Sequence, residues 1–502
     1  MALGLTELWA GLVAGAPSLV VAVGGVVIDE VPAGVKDVAI ALFGVRDKIA
    51  LVVGTLVLAG VFGAVLGLLA ARGLWKGAAG FAGFAVLGTL AATRDPQASA
   101  VLAAIGAAVA AAVALALLHR MLARAPGAGA HEPDPDHEPA TAEPMQPRGD
   151  RRVFLQLAGG ATAFAVLSSG AGRLLTSRNA ATVARARVDL PPPAVALGTP
   201  PAGTALEVDG LSPLFTPNDS FYRIDTALTI PRVDPATWRL QVTGMVDRPL
   251  TLSFDDLLAM PHEEVDVTLL CVSNEVGGHL AGNARWSGVR LTDLLDRAGV
   301  QVGATQIVGR SADGWTSGFP TEAAFDGRDA LVAVGMNGEP LPLRHGFPAR
   351  LVVAGLYGYV SATKWLTAIE LTTLNGFDAY WVPRGWSKEG PVKTQSRIDV
   401  PAHRDSVAAG RVAVAGVAWA GIRGVSRVEV AVDDGDWQPA RLAEELGSAT
   451  WRQWLWEWDA RPGRHTLTVR ATDGEGTVQT SAPSRPAPDG ATGHHRVTVE
   501  VG

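Results

Sequence analysis

The chain carries one cysteine in 502 residues, Cys271, which closes the apolar run Val265-Asp266-Val267-Thr268-Leu269-Leu270. A lone thiol makes neither an internal disulfide nor a multi-cysteine metal site. It acts singly, as a nucleophile, as one soft ligand to a metal, or as an inert buried side chain. Further on, Met336-Asn337-Gly338-Glu339-Pro340-Leu341-Pro342 leads to His345-Gly346-Phe347-Pro348-Ala349-Arg350-Leu351, and Lys364-Trp365-Leu366 follows Gly355. Arg350 offers a planar fork to a phosphate, Lys364 a compact charge and His345 a hydrogen bond; each of them alone is equally an ordinary surface group.

Positioning such groups takes a scaffold. From about Gly203 to Ile398 short strands and helices alternate: Trp238 to Thr243 and Leu351 to Val353 read as strands, Ser253 to Leu258 and Leu291 to Ala298 as helical turns. Residues 203–398 are therefore expected to form a mixed α+β domain, long enough to bury a core of its own. Beyond Pro401 the pattern changes to Val412 to Ala418, Val425 to Val432, Trp454 to Trp458, His465 to Thr472 and His495 to Val501, separated by turns such as Asp433-Asp434-Gly435-Asp436. Strands at that spacing predict an immunoglobulin-like β-sandwich over residues 399–502.

The first third belongs to another physical regime. Hydrophobic residues make up 48% of the chain and charged ones 18%, and the apolar excess lies before residue 175, which predicts a membrane part joined to a soluble part. Within residues 1–122, stretches near 5 to 28, 49 to 71, 77 to 93 and 98 to 118 are expected to be four transmembrane helices, since crossing a bilayer takes roughly 20 helical residues. The pairs Gly11 with Gly15 and Gly63 with Gly67 would let such helices approach closely. Residues 123–150, with Pro126, Pro133, Pro135, Pro139, Pro144 and Pro147, read as a cytoplasmic linker in which His131 and His137 are solvated.

Then Asp150-Arg151-Arg152-Val153-Phe154-Leu155-Gln156 precedes the apolar stretch Leu157 to Leu167. This resembles a twin-arginine export signal, and a membrane helix with cytoplasmic positive flanks reads similarly. Both predict a fifth helix over 151–175 and place everything after it outside the cytoplasm. Residues 176–202, containing Pro191-Pro192-Pro193 and Pro200-Pro201, read as a second linker. The membrane part offers no pair of histidines for a haem, and the chain has no Cys-x-x-Cys-His site. Electrons would therefore pass to a separate partner, a haem protein or a quinone-linked one. The formal net charge is −7, and no nucleic-acid partner is expected.

The run Val267-Thr268-Leu269-Leu270-Cys271-Val272-Ser273-Asn274, followed by Asn283-Ala284-Arg285-Trp286-Ser287-Gly288-Val289-Arg290-Leu291, resembles the molybdenum-ligand segment of the sulfite oxidase family. The blocks around His345, Arg350 and Lys364 resemble that family's pterin-binding region. Gly416-Val417-Ala418-Trp419 and Val428-Glu429-Val430-Ala431-Val432-Asp433-Asp434-Gly435 are similar to its dimer-forming sandwich. The resemblance covers residues 203–502. It implies one molybdenum-molybdopterin per chain, with Cys271 as the metal ligand and Arg223, Asn274, His345, Arg350 and Lys364 around the cofactor, Arg223 also serving catalysis. It further implies a homodimer through 399–502.

The departures bear on substrate. Sulfite oxidases continue Arg-Asn-His where this chain has Arg223-Ile224-Asp225, place arginines where it has Glu275-Val276, and carry tyrosine where it has Val417. A carboxylate near the metal would repel sulfite, by about 1 kcal/mol at 4 Å even in water. The expected protein is a membrane-anchored, extracytoplasmic molybdopterin oxidoreductase that transfers an oxygen atom to or from a small neutral substrate such as a sulfoxide. The alternatives are an envelope methionine-sulfoxide-type reductase, a sulfite oxidase proper, or a cell-surface scaffold that has lost its metal.

Overall fold

The structure is a computed structural model that describes residues 1–13, 15–31, 42, 47–96, 98–123, 148–177 and 180–502. The expected linker over 123–150, with His131 and His137, lies almost wholly outside the described residues. The chain divides into two compact units, Met1–Asn179 with Thr226–Thr229, and Ala180–Asp225 with Ile230–Gly502.

The first unit is helical. Among the described residues, three of its helices, spanning Ala50–Ala71, Leu74–Ala92 and Ala100–Leu122, are long and apolar enough to cross a membrane. The stretch expected as a first span is instead two shorter helices, α1 (Ala2–Leu12) and α2 (Leu19–Glu30). Pro17 explains the break: it has no N–H to continue a helix, and next to it the Ser18 side chain accepts a hydrogen bond from Val21 N at 3.2 Å, capping a new one. The twin-arginine segment lies near the start of a 30-residue helix, Arg148–Ser177.

That long helix packs on α1 through small residues. A Cβ on Gly11 would fall 2.5 Å from the Gly172 carbonyl oxygen, and one on Gly4 2.7 Å from that of Ala165. Gly63 and Gly67 do not serve this purpose, since a Cβ on either meets nothing within 4 Å.

In the second unit, residues 180–202 are more than a linker. Ala180–Arg185 is a helical turn, Arg185 donates to the carbonyls of Leu341 at 2.8 Å and Pro340 at 2.7 Å, and Val195 bridges to Glu263. The mixed domain has two sheets. One orders β2 (Leu250–Ser253), β1 (Arg239–Gly244), β10 (Leu366–Thr372), β5 (Gln306–Ser311) and β6 (Thr316–Pro320), with β1 and β10 parallel. The other orders β3 (Glu263–Leu270), β4 (Ala281–Arg290), β7 (Ala330–Met336) and β8 (Glu339–Pro340), with β9 (Arg350–Val353) also on β7. Helical turns at Phe254–Leu258 and Leu291–Ala298 fall where the sequence predicts them. Fully buried Leu269, Trp286, Leu294, Val332 and Leu351 share one core, whose burial supplies most of the stabilisation at roughly 25 cal/mol per Å² of apolar surface.

The last hundred residues form two packed sheets. β11 (Gln395–Val400), β13 (Gly410–Trp419), β17 (Arg452–Ala460) and the short β16 (Arg441–Leu442) face β14 (Val425–Val432), β18 (Gly463–Asp473), β19 (His495–Val501) and the short β12 (Ser406–Val407) and β15 (Gln438–Pro439) across a core of Val414, Trp454, Val430, Leu467 and Val499. Because β11 starts at Gln395, this sandwich begins a few residues before the expected boundary at 399.

Candidate functional site

The β3–β4 hairpin places the thiol. Its register ends at Leu270 opposite Ala281, so Cys271 is the first residue of the connecting loop, anchored by its N–H to Leu280 O at 2.9 Å. Asn274 N donates to Cys271 O at 3.0 Å and closes a tight turn, while Asn274 Oδ1 accepts from Leu280 N at 2.8 Å and pins the far side of the loop. The thiol is 9% exposed. Burial raises its pKa, opposed by hydrogen bonds from Ser273 and by the Lys364 charge. A thiolate there needs a compensating positive charge.

The phosphate-type groups converge on the same place. Arg350 opens β9 and is 3% exposed. Its guanidinium lies 4.9 Å from the Trp286 ring and donates to His345 O at 3.1 Å and Leu351 O at 3.4 Å. Burial holds it down to about 10. His345 Nε2 lies 2.9 Å from Asn218 O, and burial first, then the charges of Arg350 and Lys364, hold the imidazole neutral, with a pKa of about 3. Gly346 joins these elements at φ 111°; a Cβ there would lie 3.0 Å from Lys364 Cα and 3.1 Å from Arg350 Cβ, so only glycine lets the two cations approach.

Lys364 is brought down to about 8 by burial against the favourable effect of Asp225. Its Nζ donates to Asp225 Oδ2 and Ile224 O, both at 3.0 Å. Arg223 grips the same carboxylate with both arms of its fork, Nε to Oδ2 at 2.7 Å and Nη2 to Oδ1 at 3.0 Å. Asn218 steadies this segment, its Oδ1 accepting from Asn337 Nδ2 at 2.9 Å.

The structure thus gathers all six residues singled out in the sequence, Arg223, Cys271, Asn274, His345, Arg350 and Lys364. Glu275, expected to bear on substrate charge, is exposed, and the carboxylate built into the cluster is that of Asp225. Val417 is fully buried in the core of the mixed domain. Sequence reasoning missed Tyr222, whose hydroxyl burial pushes to high pKa beside Cys271 and Arg350, and Tyr357, pushed up to about 12 by burial. Tyr222 adjoins Arg223 in the chain, which was the available signal.

The cluster suits an anion that brings metal ligands of its own. Asn274 Nδ2 and His345 Nδ1 are buried without a hydrogen-bond partner, and Arg350 has only carbonyl partners among the described residues. Buried polar groups and charges left in this way are costly. Among the described residues no group of three or more His, Cys, Asp or Glu could hold a metal; Cys271 could complete a metal site only as its single protein ligand.

Comparisons with known proteins agree with this chemistry. A family model described as the oxidoreductase molybdopterin binding domain matches residues 227–381, and one described as the Mo-co oxidoreductase dimerisation domain matches residues 389–499. The mitochondrial sulfite oxidase of Homo sapiens is 33% identical over 287 residues, 48% of this chain and 52% of that one. Sulfite oxidase of Gallus gallus is 30% identical over 322 residues, 52% of this chain and 69% of that one. An uncharacterized oxidoreductase of Bacillus subtilis, YuiH, is 38% identical over 157 residues, 31% of this chain and 76% of its own length. The chain spans about half the length of the mammalian relatives it matches. Among solved structures, the sulfane dehydrogenase SoxCD of Paracoccus pantotrophus shares the fold, with a TM-score of 0.50 at 24% identity over 58% of this chain and 82% of that one.

Proposed function

Since this chain belongs to the sulfite oxidase family of molybdopterin-dependent oxidoreductases, with molybdenum-molybdopterin as its cofactor, we propose that it transfers an oxygen atom to or from a small neutral substrate at Cys271. The observation that carries this reading is the buried lone thiol, within reach of the Lys364 charge, in a cluster where Tyr222 interacts with both the thiol and a buried guanidinium that lacks any carboxylate partner among the described residues. When bound, the cofactor supplies a two-electron redox change matched to the gain or loss of one oxygen atom by the substrate.

The chain's own residues do the rest. Cys271 is the single protein ligand to the metal, a soft thiolate favoured by the Lys364 ammonium and by the Ser273 hydrogen bonds. Arg350 would hold the pterin's phosphate, and the orphaned Asn274 Nδ2 and His345 Nδ1 would donate to or accept from the cofactor. His345 stays neutral and positions without exchanging protons near pH 7. Arg223, partly exposed beside Asp225, would be the residue to meet the substrate. In the reducing direction, a sulfoxide plus two electrons and two protons gives a sulfide and water.

A separate haem or quinone-linked partner provides or removes the electrons. The helical unit, through its three long apolar helices, anchors the enzyme in the cytoplasmic membrane with the catalytic domain on the extracytoplasmic side. Export of a domain folded around a cytoplasmically assembled cofactor suits the twin-arginine segment at Arg151-Arg152. Residues 399–502 are an immunoglobulin-like module, and the match to a dimerisation domain supports a homodimer through it.

The direct test is turnover of the purified, molybdenum-loaded protein with dimethyl sulfoxide or methionine sulfoxide and a reduced dye, against sulfite and an oxidised dye. Sulfoxide reduction with little sulfite oxidation is expected. Sulfite turnover at the level of a dedicated sulfite oxidase would overturn the substrate reading, and a protein without molybdenum would overturn the enzyme reading.

A further inference from the structure

Two cations near Cys271 share one anion. Asp225 accepts the bidentate fork of Arg223 at 2.7 and 3.0 Å and, through the same Oδ2, the Lys364 ammonium at 3.0 Å. The Asp225 side chain is 8% exposed, that of Lys364 12% and that of Arg223 24%. Water screens such a cluster poorly, and an anion that broke it would have to replace several charge-assisted hydrogen bonds at once.

A second carboxyl backs the first. Asp313, on the turn between β5 and β6, lies close enough to Asp225 for their charges to interact, and that turn is fixed by the Ala312 N–H to Trp365 O at 2.8 Å, beside Lys364. One carboxylate therefore already answers both Arg223 and Lys364, and the neighbouring Asp313 carboxyl adds no attraction for an incoming oxyanion. Arg350, the remaining buried cation, is committed to the cofactor's phosphate in the reading above. A neutral oxo group needs only one donor, and Asp225 and Ile224 O engage two of the three ammonium N–H groups of Lys364.

We propose that Asp225 is the specificity-determining residue of this site: its carboxylate occupies Arg223 and Lys364 and so selects neutral oxo compounds, such as sulfoxides, over oxyanions. This rests on the preceding reading of Cys271 as the reaction centre, and it shifts the anion-excluding role from Glu275 to Asp225.

The experiment is calorimetric titration of the full-length, molybdenum-loaded protein with sulfate, a redox-inert oxyanion, at low ionic strength. Wild type is expected to bind it no more tightly than about 10 mM, and Asp225→Asn at least tenfold more tightly, which is about 1.4 kcal/mol. Adding Arg223→Gln to Asp225→Asn should abolish the gain, and added salt should shrink it. An Asp225→Asn protein with wild-type circular dichroism and a sulfate affinity within about twofold of wild type overturns the proposal. Should that variant not fold, wild type decides alone: sulfate binding much tighter than about 1 mM overturns the proposal, and its absence up to about 10 mM upholds it. Repeating the titrations on cofactor-free protein separates the two claims. A gain there upholds the role of Asp225 even if wild type proves to lack molybdenum, a result that would count against the preceding reading alone.

Discussion

Replacing Arg350 with methionine asks whether a buried cation is kept for a ligand. The guanidinium is 3% exposed, meets only the carbonyls of His345 and Leu351, and lies 4.9 Å from the Trp286 ring. Burial lowers it from 12.5 to about 10, which at about 1.36 kcal/mol per unit disfavours the charged form by roughly 3 kcal/mol in the cofactor-free fold. Arginine is protonated in both folded and unfolded chains at pH 7. The full penalty is therefore present there, and it lifts only as pH climbs from the folded value towards the unfolded one. Methionine removes the penalty, surrendering a charged hydrogen bond worth about 1.5–3 kcal/mol and a cation–π contact of about 0.5–2 kcal/mol. These effects nearly cancel. Cofactor-free Arg350→Met should therefore melt within roughly 5 °C of cofactor-free wild type, followed by circular dichroism on the full chain in detergent. Loaded wild type should melt well above both, and the variant should retain at least about tenfold less cofactor, equivalent to about 1.4 kcal/mol of binding. A cofactor-free variant that melts more than about 10 °C lower while loading normally would refute the reasoning, because Arg350 would then be a structural residue.

Two further outcomes follow from the same cluster. His345, with a pKa of about 3 when folded against 6.5 unfolded, contributes stability that is present above the unfolded value and lost as pH falls towards the folded one, at up to about 1.4 kcal/mol per pH unit. The cofactor-free protein should thus lose stability between pH 6.5 and about 3, and denaturant titrations of His345→Gln should show a shallower loss over that range; an unchanged slope would mean that the imidazole is not buried neutral. Gly346→Ala forces a Cβ to within 3.0 Å of Lys364 at a φ of 111°, so it should cost about 1–3 kcal/mol and reduce cofactor retention. A fully loaded, equally stable alanine variant would show that the two cations need not approach so closely.

Much of the site was legible because its chemistry is local in sequence. Cys271 directly follows a strand, and Val267 to Asn274 carry the thiol and the turn that fixes it. His345, Gly346 and Arg350 likewise lie within six residues of chain. Strand periods and turn residues placed β1, β9 and the sandwich strands to within a few residues. What escaped depends on distant contacts. Glu275 stood next to the thiol in sequence and invited an electrostatic role, yet the hairpin loop turns it to solvent, whereas the pairing of Asp225 with Lys364 spans 139 residues. In the helical unit, hydropathy alone could not register that Pro17 and Ser18 would split one apolar stretch. Spacing favoured Gly63 and Gly67 as a packing pair no less than Gly11, although only Gly11 meets a neighbouring backbone.

The central claim is that Cys271 is the single protein ligand to a molybdenum atom carried by a pterin. Metal and pterin content, measured by elemental analysis and fluorescence on wild type and Cys271→Ser purified from a host that makes the cofactor, tests it most directly. Wild type should contain close to one molybdenum and one pterin per chain. Cys271→Ser should keep its fold and its pterin-phosphate contacts while losing molybdenum or its thiolate absorption, together with turnover. A wild-type protein devoid of molybdenum, or a Cys271→Ser protein with the same metal content, absorption and turnover as wild type, would contradict it.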